Sequence, residues 1–169
     1  QTSFTDTAGK GYQGAAEEMG SRKVINGVGS NCFAGDKDIT RAEFAAMIVR
    51  ALGLPASGIA EFTDVPSTAW YSGAVATAAQ YGIVSGIGNK KFAPDAKITR
   101  EEAMQMVYNA SRLTPYEAVA GADNTKNFID YGTQSPWAIY AVDFNINNEF
   151  IRGSNGQVHP KSNITRAET

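Results

Sequence analysis

One pentapeptide recurs three times in this chain and constrains its fold more than any other feature. It reads Ile39-Thr40-Arg41-Ala42-Glu43, then Ile98-Thr99-Arg100-Glu101-Glu102, then Ile164-Thr165-Arg166-Ala167-Glu168. Thr followed three residues later by Glu is a capping box: the hydroxyl accepts from a free N–H of the first helical turn, and the carboxylate reaches back to the Thr N–H. Each copy is therefore expected to open a helix. The Ile before each Thr sits at the hydrophobic-staple position, with Phe44 at the matching place inside the first helix. The Arg is harder to place. It falls in the first turn, where the macrodipole favours anions over cations. A cation set there three times points to a task other than helix stability.

The pentapeptide ends a longer repeat. The three copies start at Phe4-Thr5-Asp6, Phe62-Thr63-Asp64-Val65 and Phe128-Ile129-Asp130, and an aromatic follows each: Tyr12, Trp70 and Trp137. An apolar helical stretch comes next, then a branched-apolar segment ending in Gly, then the box. From Phe to Arg the distance is 37, 38 and 38 residues, whereas successive Arg residues are 59 and 66 apart, so insertions fall between repeats. The repeats span 1–54, 55–113 and 114–169, with linkers at 55–61 and 114–127. Within each, the pattern reads helix, short turn or extended piece, helix. Ala74, Val75, Ala78 and Ala79 continue from Trp70 as a 3.6-period stripe closed by Gly82. Phe44, Met47, Ile48, Ala51 and Leu52 share one face before Gly53, and Ala103, Met106, Val107 and Ala110 do the same in repeat two. Ser135-Pro136 signals a helix start, followed by Ile139, Val142 and Ile146. Repeat three reaches Thr169 with its cap written and its helix not, so the third repeat is read as C-terminally incomplete, and a longer protein is expected.

Composition removes several function classes. The net charge of −2 offers no broad attraction to nucleic acid or an anionic membrane, so neither is expected as a partner, and no apolar run has the length for membrane insertion. One Cys, Cys32, permits no disulfide within the chain, and one His, His159, with one Cys makes a zinc site untenable; no metal and no cofactor are expected. Only 19% of residues are charged, and the many Gly, Ala, Ser, Thr and Asn suit a wall-facing surface. Catalysis is not expected either. Adjacent helical carboxylates such as Glu17-Glu18 and Glu101-Glu102 diverge, and His159 has no Ser or Cys partner motif.

Phe-x-Asp, an aromatic eight or nine residues on, Ile-Val-x-Gly, Phe-x-Pro and Ile-Thr-Arg-Ala-Glu, in that order and repeated, resemble the S-layer homology (SLH) domain in three tandem copies. The resemblance covers nearly the whole chain apart from the linkers. It implies a mainly α fold of three helix-turn-helix modules in a pseudo-threefold arrangement, the third lacking its second helix. First helices would gather into a central bundle, second helices would stand outward as prongs, and grooves would form between modules. It further implies a secreted protein of the cell wall or S-layer, holding cell-wall polysaccharide, often pyruvylated, or modified peptidoglycan. A structural subunit that self-assembles through a larger polypeptide is the alternative.

Carried over by position, the implied ligand-binding residues are Asp6, Gly27 and Arg41 in repeat one, Asp64, Trp70, Gly86 and Arg100 in repeat two, and Asp130, Trp137, Gly153 and Arg166 in repeat three. A pyruvate ketal is a carboxylate, which a guanidinium fork and helix-start N–H groups can hold, while indoles can stack on sugar rings. Structural roles compete with each of these. The Asp residues serve equally as caps or loop braces, the indoles as core, the glycines as turns and the Arg residues as intermodule ion pairs. Arg152 and Lys161 are expected to be solvated. Departures from the pattern are Tyr12 for Trp, Thr7 and Tyr131 for Val, Gly35 where repeat two has Pro94, and Glu101 for Ala, which adds negative charge beside Arg100.

Overall fold

A computed structural model describes residues 3–121 and 123–169; Gln1, Thr2 and Ala122, which the first and third repeats include, lie outside the described residues. Five α-helices carry the fold: α1 Gln13–Ser21, α2 Arg41–Ala51, α3 Ser72–Gln80, α4 Arg100–Ser111 and α5 Ile139–Asn147. Short 3₁₀ turns cover Thr125–Asn127, Pro136–Ala138 and Arg166–Glu168. The extended pieces, Ile83-Val84-Ser85-Gly86 among them, form no strand among the described residues, and pairing is confined to isolated bridges.

The boxes fold as their sequence requires. Thr40 accepts from the Glu43 N–H at 3.2 Å while Glu43 accepts from the Thr40 N–H at 2.9 Å. Thr99 and Glu102 repeat this at 3.4 and 2.9 Å. In the third box Glu168 accepts from the Thr165 N–H at 2.8 Å, and the box then ends in one 3₁₀ turn.

The three boxes meet at one point. Ile39 donates its N–H to the carbonyl of Ile164 at 3.1 Å, Ile164 donates to Ile98 at 3.2 Å, and Ile98 donates to Ile39 at 3.1 Å. This closed triangle of backbone hydrogen bonds is the pseudo-threefold hub, and all three side chains are buried. From the hub α2 packs on α3 and α4, and α4 packs on α5. The second helices therefore hold the centre and the first helices lie outside, the reverse of the expected placing. The reason lies in the hub: α2 and α4 both start from it and pack on each other, whereas α3 packs on α2 and α5 on α4. In module one, eight of the eleven residues of α2, from Arg41 to Val49 with Glu43 excepted, are buried, while α1 buries only Ala16 and Gly20.

A second motif is built three times before the hub. Asp6 accepts the N–H groups of Phe33 and Ala34, both at 2.7 Å. Asp64 accepts from Phe92 and Ala93 at 2.9 and 2.8 Å, and Asp130 from Val158 and His159 at 2.8 and 2.7 Å. The clamp holds Ala34, Ala93 and His159 at φ of 56°, 57° and 54°, a left-handed conformation that non-glycine residues adopt at a cost. Two charge-assisted bonds from one carboxylate offset it. The Phe that opens each repeat lies over the turn glycine: a Cβ on Gly86 would stand 2.7 Å from the Lys91 carbonyl and 2.9 Å from the Phe62 ring, and Gly27 and Gly153 are closed in the same way.

Candidate functional site

Each repeated Arg reaches into the next module. Arg41 donates from Nε to the carbonyl of Phe92 at 2.9 Å and from Nη2 to Ser85 at 3.4 Å, with its guanidinium 4.9 Å over the Phe92 ring. Arg100 donates from Nε to Val158 at 2.7 Å. Arg166 closes the circuit, donating to Phe33 at 2.8 Å and Asn26 at 2.7 Å, 5.2 Å over the Phe33 ring. The task foreshadowed by the misplaced cation is thus intermodule clasping. Burial pulls the Arg41 and Arg166 guanidiniums down from their ordinary value, and the carboxylates of Glu102 and Glu43 respectively push back up.

The helix-start N–H groups are also committed. Those of Arg41 and Ala42 donate to Ala96 and Pro94 at 2.9 and 3.1 Å, and those of Arg100 and Glu101 donate to Ser162 and Pro160 at 2.8 and 2.9 Å. They are spent on the neighbouring module and offer nothing to an anion, which overturns that expectation.

Three of the grooves between modules carry a repeated Arg. One, of about 720 Å³, is walled by Arg41 of module one, Ser85, Gly86, Glu102 and Asn109 of module two, and Trp137 of module three. The second, about 360 Å³, repeats that plan one step round: Arg166, then Gly27, Glu43 and Arg50, then Trp70. The third, about 350 Å³, has Arg100 and Glu168 against mainly apolar walls that include Phe44, Met104 and Phe150. Each of the first two grooves therefore draws on all three modules. Residues that the sequence grouped by repeat are separated: Trp70 faces Arg166, not Arg100, and Gly86 shares a groove with Arg41.

Trp70 and Trp137 are 63% and 55% exposed, so both indoles stand at groove rims and not in the core. The three Asp residues have both oxygens engaged as clamps and line none of these grooves, so the bracing role is the one the geometry gives them. Gly153 stands outside the third groove as well. Glu101 does not face Arg100. It is buried and accepts from the Ser135 N–H at 2.9 Å, the Ser135 hydroxyl at 2.8 Å and Lys161 at 2.7 Å. Its charge is consumed in holding module three, and Lys161, expected to be solvated, is its partner. Sequence reasoning missed Glu102, Gln105 and Asn109, which line the first groove from one face of α4. Their spacing of three and four was the available signal.

The S-layer homology domain family model matches residues 3–45 and 61–104, the first two modules. This chain belongs to the S-layer homology family. A surface-layer 125 kDa protein of Lysinibacillus sphaericus is 34% identical over 158 residues, covering 91% of this chain and 13% of that protein. An amylopullulanase of Thermoanaerobacterium thermosulfurigenes is 35% identical over 169 residues, 98% of this chain and 9% of that protein. The middle cell wall protein of Brevibacillus brevis is 40% identical over 97 residues, 54% of this chain and 9% of that protein. The chain spans a small part of the length of these relatives. Membership makes this SLH unit a cell-surface anchoring module of the cell wall or S-layer.

Proposed function

We propose that this unit anchors by gripping an anionic, pyruvate-bearing wall polysaccharide in its intermodule grooves, without catalysing any change in it. The observation that carries this is an exposed indole in each of two intermodule grooves, joined in the Trp70 groove by the guanidinium groups of Arg50 and Arg166. The indole face matches the C–H face of a pyranose, and the cation matches a ketal carboxylate. The relatives' names place similar modules both in a surface-layer protein and in an amylopullulanase, which suits an anchor that serves different cargoes.

The test is sedimentation with purified wall polysaccharide, native and stripped of pyruvate by mild acid. Saturable binding to the native polymer, lost in the Trp70→Ala, Trp137→Ala double variant at unchanged melting temperature, is expected. Equal binding to stripped polymer would refute the carboxylate part, and equal binding to peptidoglycan would move the ligand to that polymer.

A further inference from the structure

We infer that the two indole-walled grooves differ in ligand charge: the Arg50–Trp70 groove is selective for the carboxylate-bearing sugar, and the Asn109–Trp137 groove takes neutral sugar. The inference rests on the reading of these grooves as glycan sites and assigns each a ligand class.

Three differences carry it. First, Arg50 on α2 and Asn109 on α4 hold equivalent positions, each nine residues after its box Arg. Both donate to the equivalent carbonyl of the neighbouring turn, Arg50 to Val24 at 3.5 Å and Asn109 to Ile83 at 3.0 Å. An amide therefore suffices for the structural bond, and the full positive charge of Arg50 is surplus to it. Second, the box Arg is neutralised in one groove and not in the other. Arg41 pairs with Glu102 at 3.1 Å. Arg166 occupies the corresponding place beside Glu43, yet among the described residues no carboxylate lies within salt-bridge distance of it. Third, the lining charges follow. Arg41 and Glu102 cancel in one groove, while Arg50 and Arg166 outnumber Glu43 in the other. Gln105, where α2 has Ala46, adds a further neutral amide to the Asn109 side, suited to sugar hydroxyls.

The two Trp residues are the only ones in the chain, and each marks one groove. Labelled with 5-fluorotryptophan, the protein gives two ¹⁹F resonances, assigned with Trp70→Phe and Trp137→Phe. The probes are a methyl glycoside carrying a pyruvate ketal and the same glycoside without it. The ketal is expected to shift the Trp70 signal at concentrations about tenfold or more below those that move Trp137. Arg50→Asn, which keeps the bond to Val24, should abolish that preference, and Asn109→Arg should confer it on the Trp137 groove. The neutral glycoside should favour Trp137. Ketal binding reported first by Trp137, or unaffected by Arg50→Asn, overturns this inference and leaves the glycan reading standing. Movement of neither signal by either probe removes the glycan reading itself.

Discussion

Arg166 donates its Nε N–H to the carbonyl oxygen of Phe33 at 2.8 Å, across 133 residues of chain. With the Arg166 bond to Asn26 and the backbone bonds from Ile39 to Ile164 and from Arg166 to Lys37, it joins the last module to the first and turns a string of repeats into a ring. A linear array would leave its terminal faces open, whereas here each box has a neighbour's turn beneath it. Arg166→Ala strands the buried carbonyl of Phe33, while that of Asn26, an exposed residue, turns to water. The expected loss is about 1–3 kcal/mol, because the orphaned Phe33 acceptor forfeits its bond and keeps its desolvation cost. Arg166→Lys should recover less than half, since a single ammonium cannot reproduce a planar fork with donors aimed at two carbonyls. Thermal and urea melts would check both, and a change under 1 kcal/mol for the Ala variant would count against the ring as a stabilising device.

Acid should loosen the same ring. The N–H groups of Phe33 and Ala34 hold the Asp6 carboxyl below its ordinary value. Burial pushes Asp64 up, but the N–H groups of Phe92 and Ala93 outweigh it; burial likewise pushes Glu101 up, and Lys161 and Ser135 outweigh that. All three are depressed in the folded state. Their stabilisation is therefore complete above the unfolded values, 3.8 for Asp and 4.5 for Glu, and is lost as pH falls through the folded ones. Melting temperature should be flat from neutral to about pH 5 and fall steeply below it. Asp64→Asn should lower the plateau and flatten the fall; an unchanged slope would show that the clamps do not govern acid stability.

Much of this was legible before any fold was in hand, for a definable reason. Capping boxes, Gly stops and apolar stripes are local signals, and Thr40, Thr99, Gly53 and Gly82 do what their sequence context dictates. The grooves are not local. Trp70 and Arg166 are brought together only by closure of the ring, so grouping residues by repeat assigned them to different sites. The placing of the helices failed for a related reason. Both helices of a module are apolar on one face, and which one reaches the axis depends on where three boxes meet. Glu101 shows the same limit: its neighbours in sequence suggested a clash with Arg100, while its partners Ser135 and Lys161 lie 34 and 60 residues away.

Gly86 should tolerate no side chain. A Cβ there would meet the Lys91 backbone oxygen at 2.7 Å, and a carbonyl held in a tight turn cannot retreat as a flexible side chain can. Gly86→Ala is expected to cost about 1–3 kcal/mol, the usual range for forced overpacking. Because Arg41 also binds the Ser85 carbonyl next door, the variant should loosen the groove as well, read as increased amide exchange at Ile87, whose N–H is bonded to Lys91 at 2.8 Å. A stable variant with unchanged exchange would show the turn to be compliant.

The outer helices offer room for improvement. Each ends in the same Schellman arrangement. After α3, Gly82 at φ 68° donates to Ala79 at 3.0 Å and Ile83 donates to Ala78 at 2.8 Å. After α1 the corresponding residue is Lys23 at φ 60°, donating to Gly20 at 3.0 Å while Val24 donates to Met19 at 3.0 Å; after α5 it is Glu149 at φ 58°. A Cβ in this left-handed conformation costs roughly 1–2 kcal/mol, while glycine costs the unfolded chain's extra entropy, roughly 0.5–1 kcal/mol. The difference favours glycine. Lys23→Gly and Glu149→Gly should each stabilise by about 0.5–1 kcal/mol, and Gly82→Ala should destabilise by a similar amount. The sites lie in different modules, so the two gains should add in chemical melts. A loss on Lys23→Gly would mean that its side chain does work at the α1 end that the backbone geometry does not reveal.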